Sequence, residues 1–312
     1  MFRVLGNSDN ALNATIQVLS SHKSLFRIPL WSAMSGFLLL FIFASPFLLR
    51  PSGHSLTSKA HWDVVEARIF LPEADPQRRS HPQHFHHLTR PAEILSSTCY
   101  LLTMVLVTFL NVAFMYQILA AFRGETVSAG DALRFAITKW RAILLWSLFA
   151  GVIGWLIQEV EQRFSLAGKW IANVVDASWS AAIVFVMPVI VLGNDTNPIK
   201  NLRSSAKAIR KTWGELVIGF VGLEAGALLL GFLLVFSLLS LGMVSALLGG
   251  VPPMFLTITI CVFGLLAGCY IVSVISMVYQ CALYLYATTG QLPSPYPPAL
   301  VTQAWKMKKA EL

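Results

Sequence analysis

Apolar residues gather in six long, almost uncharged stretches, and polar residues gather between them. The stretches run from Ile28 to Leu49, from about Ile94 to Phe122, from Ile143 to about Gln158, from about Trp170 to Gly193, from Leu216 to Leu248 and from Met254 to Tyr286. A helix needs roughly 20 apolar residues to cross a hydrocarbon core of about 30 Å. Each stretch therefore reads as a transmembrane helix, the third being short and ending at Glu159. The last two exceed the minimum and must tilt, kink at glycine or project beyond the bilayer. A lipid-facing strand would alternate apolar and polar residues. These runs are continuous, which favours helices, whose backbone groups are satisfied within the segment.

A second periodicity precedes each odd-numbered span. Leu12, Ile16 and Leu19 come before the first, Leu133, Ile137, Trp140 and Leu144 before the third, and Leu202, Ala206, Ile209 and Trp213 before the fifth. This spacing puts the apolar groups on one helical face. Basic residues share these stretches: Arg134, Lys139 and Arg141 in the second, and Lys200, Arg203, Lys207, Arg210 and Lys211 in the third. That combination suits helices lying in the headgroup layer of an anionic leaflet. Ser128 and Asp131 predict a capped start for the second helix. Pro188 predicts a kink in the fourth span. Gly193-Asn194-Asp195, followed by Asn197-Pro198, predicts a turn into the third in-plane helix. The ends of the even spans echo each other, with Tyr116-Gln117 before Phe122-Arg123-Gly124 and Tyr279-Gln280 before Ala287-Thr288-Thr289-Gly290. The expected architecture is all-α: one membrane domain over residues 1–312, six spans and three units of in-plane helix plus hairpin, at about 11–125, 128–195 and 200–290.

Composition narrows the class. Hydrophobic residues make up 56% of the 312 residues, charged residues 12%, and the mean hydropathy is +0.66. A soluble domain carries about 25% charged residues, so a soluble enzyme, a disordered scaffold and a coiled coil are excluded. The net charge of +8 is unevenly placed. Fifteen of the 23 Lys and Arg residues flank the odd-numbered side, and eight lie on the other. Positive-inside sorting then puts both termini in the cytoplasm. Charge confined to one membrane face implies anionic lipid headgroups and no nucleic-acid partner. The first apolar run starts only at Ile28 and outlasts a signal-peptide core, so it reads as a span. All four cysteines fall within spans, which implies no disulfide framework.

Three features carry candidate chemistry. Glu224 is the one ionisable residue deep in a span, where a carboxylate must be protonated, paired or set against a polar cavity. It lies between Gly222 and Gly226, and the sixth span has its own pair, Gly264 and Gly268. Small residues at this spacing let helices approach closely. One reading has these helices packed together with Glu224 hydrogen-bonded between them. The other makes Glu224 a proton or substrate site. Asn111, Gln117, Ser273, Ser276 and Gln280 are its candidate polar partners. The outer loop, 51–91, holds His54, His61, His81, His84, His86 and His87. The last four offer imidazoles to a metal, although Pro82 prevents a regular helix through them. In the same loop Trp62, Val65 and Ile69 predict a short amphipathic helix. Glu159, Glu161 and Asp176 gather at the outer ends of the third and fourth spans, as interfacial charges or a cation vestibule. No histidine lies in a span, and no phosphate loop or HExxH motif is present. An enzyme is therefore not expected, and neither is a cofactor.

Several stretches carry a family resemblance. They are Ala14 to Gly36, Asp131-Ala-Leu-Arg-Phe-Ala running into Ile143 to Gly154, Pro188-Val-Ile-Val, Ser204 to Gly214, and Ala282-Leu-Tyr-Leu-Tyr-Ala-Thr-Thr-Gly290. Together they resemble a family of six-span prokaryotic integral membrane proteins of unknown function. They are also loosely similar to membrane domains that accompany glycerophosphodiester phosphodiesterases, although no hydrolase domain is present. The resemblance implies the topology and no activity. The family pattern implies an acidic residue soon after the Pro-Val run. Here Leu192-Gly193-Asn194 intervenes before Asp195.

The expected function is a non-catalytic accessory or scaffold subunit that packs against another membrane protein or copies of itself. A transporter or channel for a lipid-like or small solute, using Glu224, is the alternative. Metal handling by His81, His84, His86 and His87 is the second alternative.

Overall fold

The computed structural model describes residues 2–55, 58–69, 89–163, 175–176, 178–211 and 251–296, with 231, 235–236, 240 and 242–243. Among these residues every regular element is a helix. In chain order they are α1 (Phe2–Ser21), α2 (Arg27–Leu48), α3 (Lys59–Ile69), α4 (Arg90–Phe122), α5 (Ala129–Thr138), α6 (Trp140–Arg163), α7 (Val186–Leu192), α8 (198–211) and α9 (Val251–Thr289). Four stretches are long and apolar enough to cross a membrane: Lys23–Leu48, Arg90–Phe122, Trp140–Ile157 and Phe263–Thr289. They correspond to the predicted first, second, third and sixth spans. The predicted fourth span contains a shorter apolar helix, Ser178–Leu192. Most of the predicted fifth span, with Gly222, Glu224 and Gly226, lies outside the described residues.

α4 is the axis of the bundle. Thr108, Leu110, Val112 to Met115 and Gln117 to Ala121 are buried in it, and α2, α5, α6, α7 and α9 all contact it. The helix begins four residues before the apolar run, because Pro91 sits in a first turn that needs no amide donor. α6 comes in close through glycine: a Cβ on Gly154 would sit 3.1 Å from the Tyr100 hydroxyl. Tyr100 donates to the Gly151 carbonyl at 3.3 Å. Trp146 stacks on Trp179 with centroids 6.1 Å apart, joining α6 to the start of the Ser178–Leu192 helix.

α5 begins where Ser128 and Asp131 predict. The Ser128 hydroxyl accepts from the Asp131 amide at 3.1 Å and donates to its carboxylate at 2.6 Å. The face it turns to the bundle is built of small residues. Ala129, Ala132 and Ala136 are buried, and Phe135 stacks on Tyr116 of α4 at 4.0 Å. The predicted stripe points outward, with Ile137 59% and Trp140 54% exposed. The helix also stops at Thr138 and restarts at Trp140, so the stripe spans two helices. Small residues let α5 approach α4 closely, and the large apolar groups are left for lipid. α1 and α8 bury small and large residues together. Ala14, Thr15, Val18 and Leu19 are buried while Ile16 is exposed, and Asn201, Ser205 and Ala208 are buried alongside Ile209.

The predicted kink at Pro188 is a full interruption, placed at Val184 and Phe185. Proline has no amide proton and its ring crowds the carbonyl four residues earlier, so the break falls there and not at the proline. Ser205, fully buried in α8, spans the break. Its hydroxyl accepts from the Phe185 amide at 3.0 Å and donates to the Ala182 carbonyl at 2.6 Å. α7 then ends at Gly193, where a Cβ would lie 2.6 Å from the Val189 carbonyl oxygen. Only glycine fits that position. Asn197 accepts from the Ile199 amide at 2.9 Å and starts α8, as the Asn-Pro pair predicts.

Ser205→Ala removes both hydrogen bonds and strands a buried amide, which costs about 1–3 kcal/mol. The expected result is a lower unfolding midpoint in detergent, while Ser204→Ala, on the exposed face of α8, leaves it unchanged.

Candidate functional site

Three sites emerge from this arrangement. The first is a cleft of about 330 Å³ between α2, α4 and α9. Ile28, Pro29, Ser32 and Ala33 form one wall, Leu110, Asn111 and Phe114 the second, and Leu266, Cys269, Tyr270, Ser273, Val274 and Met277 the third. Tyr270 fastens the α9 and α2 walls by donating its phenol proton to the Phe26 carbonyl. Besides the Tyr270 phenol and the Cys269 thiol, the largely apolar lining carries Ser32 on α2, Asn111 on α4 and Ser273 on α9. None of the three side chains has a hydrogen-bond partner among the described residues. Asn111 is thus brought together with Ser273, and both belong to the predicted intramembrane polar set. Gln280 is half-buried, one helical turn before the buried Tyr284 on α9. Gln117 is buried in α4, donates to the Val127 carbonyl at 3.1 Å, and leaves its own carbonyl oxygen unpartnered.

Glu224, Gly222 and Gly226 lie outside the described residues. Gly264 is half-buried and Gly268 exposed. Among the described residues nothing lies within 4 Å of where a Cβ would sit on Gly268.

The second site is one end of the bundle, where segments from the odd-numbered flanks converge. Thr15 of α1 hydrogen-bonds the Tyr296 hydroxyl at 2.7 Å. Phe122, at the end of α4, packs edge-on against the same ring. Burial pushes the Tyr296 phenol above its ordinary value and the bond with Thr15 acts the other way, so the phenol stays neutral at physiological pH. Lys139, between α5 and α6, donates to the Gly193 carbonyl at 2.5 Å and to Asn194 Oδ1 at 3.2 Å. It is thus a structural clamp as well as one of the predicted surface cations. Arg134, Arg141, Lys200, Arg203, Lys207, Arg210 and Lys211 are exposed on the same group of elements. Asp195 pairs with Lys200 at 3.3 Å in solvent.

The third site is the His-rich loop. His81, His84, His86 and His87 lie outside the described residues. Among the described residues no three histidine, cysteine or acidic side chains gather at metal-binding distance. His61 lies in the short helix that Trp62, Val65 and Ile69 predict. It is buried in α3 with Val65, while Trp62 points outward. Its Nδ1 meets the Ser52 hydroxyl at 2.7 Å, and its Nε2 has no partner. Arg68 ties α3 to the end of α2 by donating to the Arg50 carbonyl at 2.8 Å and the Pro51 carbonyl at 2.9 Å. Neither anchor leaves a periodic sequence signal. The burial of a lone histidine follows from what the loop folds onto, not from its neighbours in sequence.

A family model matches residues 94–293, nearly two thirds of the chain. The chain belongs to a family of unknown function, DUF6159. No curated protein and no solved structure matches it. The DUF6159 match runs from the first turn of α4 to just past the end of α9, so the Ala14 to Gly36 stretch and α3 fall outside it. Two walls of the cleft, α4 and α9, lie within the DUF6159 region, and the α2 wall precedes it.

Lys139→Met removes a charge-assisted pair of hydrogen bonds, worth about 1.5–3 kcal/mol when half-buried. A clear fall in the detergent unfolding midpoint is expected, whereas Arg134→Met, with its side chain 84% exposed, leaves the midpoint unchanged.

Proposed function

We propose that this DUF6159 member is a non-catalytic integral protein of a bacterial inner membrane. In this reading both termini face the cytoplasm, and the protein acts by associating, in the membrane plane, with another membrane protein or with copies of itself. The observation that carries the reading is the state of α2. Ile28 is its one buried residue. Small residues, Ser32, Ala33, Ser35 and Gly36, interrupt its exposed face, and among the described residues nothing lies within 4 Å of a Cβ position on Gly36. Lipid chains solvate leucine and phenylalanine well. A small-x-x-x-small notch such as Ser32 to Gly36 is instead shaped for another helix. The exposed basic residues of α5 and α8 support the assignment of that end to the cytoplasmic leaflet.

Purification from native membranes in mild detergent tests the reading. A defined oligomer or a stoichiometric membrane-protein companion is expected. Gly36→Leu weakens the association by at least about tenfold without lowering the unfolding midpoint. A strictly monomeric chain with no companion overturns the reading.

The interrupted fourth span favours a second reading, a transporter or channel for a lipid-like or small solute with Glu224 as the coupling group. Discontinuous helices commonly line transport sites. Reconstituted Glu224→Gln vesicles then lose at least about tenfold of the solute flux, by analogy with other functional intramembrane carboxylates. Unaltered flux removes this reading and leaves the first untouched.

A further inference from the structure

We propose that the cleft between α2, α4 and α9 is a binding site for the ester-linked glycerol backbone of one membrane lipid. The inference needs these three helices to lie in a bilayer and is indifferent to which side is cytoplasmic.

The argument starts from what is unpaired. The Asn111 amide and the Ser32 and Ser273 hydroxyls converge on one cleft and have no partner among the described residues. In hydrocarbon a polar group without a partner costs several kcal/mol. A serine on a helix can turn back to its own backbone, but the Asn111 amide, with two donors and a carbonyl, reaches no such partner. The group that satisfies it must come from outside these helices.

Three properties define that group. It is uncharged, because no acidic or basic side chain is among the described cleft residues. It accepts hydrogen bonds from two or more directions, because the amide and the two hydroxyls approach from three different helices. It sits just below the headgroups, because Ser32 follows Arg27 by five residues, about 7.5 Å along the axis at 1.5 Å per residue. The two ester carbonyls of a glycerolipid meet all three conditions at that depth. The surrounding Ile28, Leu266, Val274 and Met277 suit the first methylenes of its acyl chains. Lys23 and Arg27, both exposed at the start of the span, lie where a phosphate would emerge. The cleft is partly open, so the rest of each chain runs along the exposed sides of α2 and α9 as ordinary bilayer.

The test uses the full chain in ester-free vesicles of ether-linked phosphatidylethanolamine. These carry a trace of phosphatidylglycerol with a photoactivatable diazirine close to the ester, and adducts are mapped by peptide mass spectrometry. Adducts on 28–33 and 266–277 are expected to exceed those on the equally lipid-exposed 37–42 segment by at least about fivefold. Asn111→Leu together with Ser273→Ala is expected to abolish that excess. Competition separates the two sources of the backbone. Loss of labelling with excess unlabelled diacylglycerol shows that the diester is sufficient, and loss only with unlabelled phosphatidylglycerol shows that its phosphate also takes part. Equal labelling along α2 that no competitor changes would mean annular lipid and overturns the proposal. So would a cleft that becomes labelled only in Gly36→Leu, because a partner helix would then be its occupant. The wild-type competition decides the matter even if the double variant fails to fold.

Discussion

A helix that stops within or beside a bilayer leaves backbone groups that lipid cannot satisfy, and this constraint explains how the chain is held together. At several interruptions a side chain from another segment takes up the freed group. Ser205 spans the break at Val184 and Phe185. Lys139 caps the Gly193 carbonyl at the end of α7. Arg68 covers the carbonyls of Arg50 and Pro51 where α2 ends, and Gln117 reaches the Val127 carbonyl ahead of α5. Tyr270 does the same for Phe26, where the 3₁₀ turn passes into α2. These are long-range contacts with a local cause. The termini of the helices are therefore also the points at which the bundle is cross-linked.

Between those points the bundle depends on size more than on hydrophobicity. With lipid tails as apolar as leucine, no hydrophobic gradient drives one membrane helix against another. Close approach decides, and it requires small residues. Ala129, Ala132 and Ala136 bring α5 to α4, and Gly151 and Gly154 admit Tyr100 between α6 and α4. α4 is buried along its second half because helices with such faces surround it, and α2, with one buried residue, is the least enclosed of the candidate spans. The same rule makes the Ser32 to Gly36 notch informative: small residues facing outward are left over from in-chain packing.

This reasoning also separates what could be read in the sequence from what could not. Span positions were legible because hydropathy and length are properties of a segment. Lys23–Leu48 and Trp140–Ile157 lie close to the apolar runs that begin at Ile28 and Ile143. The Ser128 cap and the Asn197 turn were legible because their chemistry is local. Helix faces were not. Leu133, Ile137 and Trp140 marked a membrane-surface stripe, but no spacing announced that Ala129, Ala132 and Ala136 would make the contacts of α5 with the bundle. The anchoring contacts of His61 and Lys139 were not legible for a related reason, since their partners Ser52 and Gly193 come from elements whose docking no periodicity reports. The break at Val184 was half legible: Pro188 announced a disturbance, and the position four residues earlier follows from which carbonyl the ring displaces.

The boundary of the family match divides the cleft in an informative way. Asn111 and Ser273 lie on α4 and α9, inside residues 94–293, and Ser32 lies outside them on α2. α4 and α9 contact each other without help from α2, so the amide and one hydroxyl are positioned by the matched region alone. α2 adds the third polar group and closes the cleft, through the Tyr270 hydrogen bond to Phe26. A lipid recognised by the α4–α9 pair would thus be gripped more tightly where α2 is docked. Any partner that draws α2 away through its Gly36 notch would weaken that grip. If both proposals hold, association and lipid occupancy would be two uses of one weakly enclosed helix, coupled by any difference between the contacts α2 makes when docked and when displaced. The coupling is reciprocal by necessity: a lipid that favours docked α2 must oppose, by the same free energy, a partner that favours displaced α2.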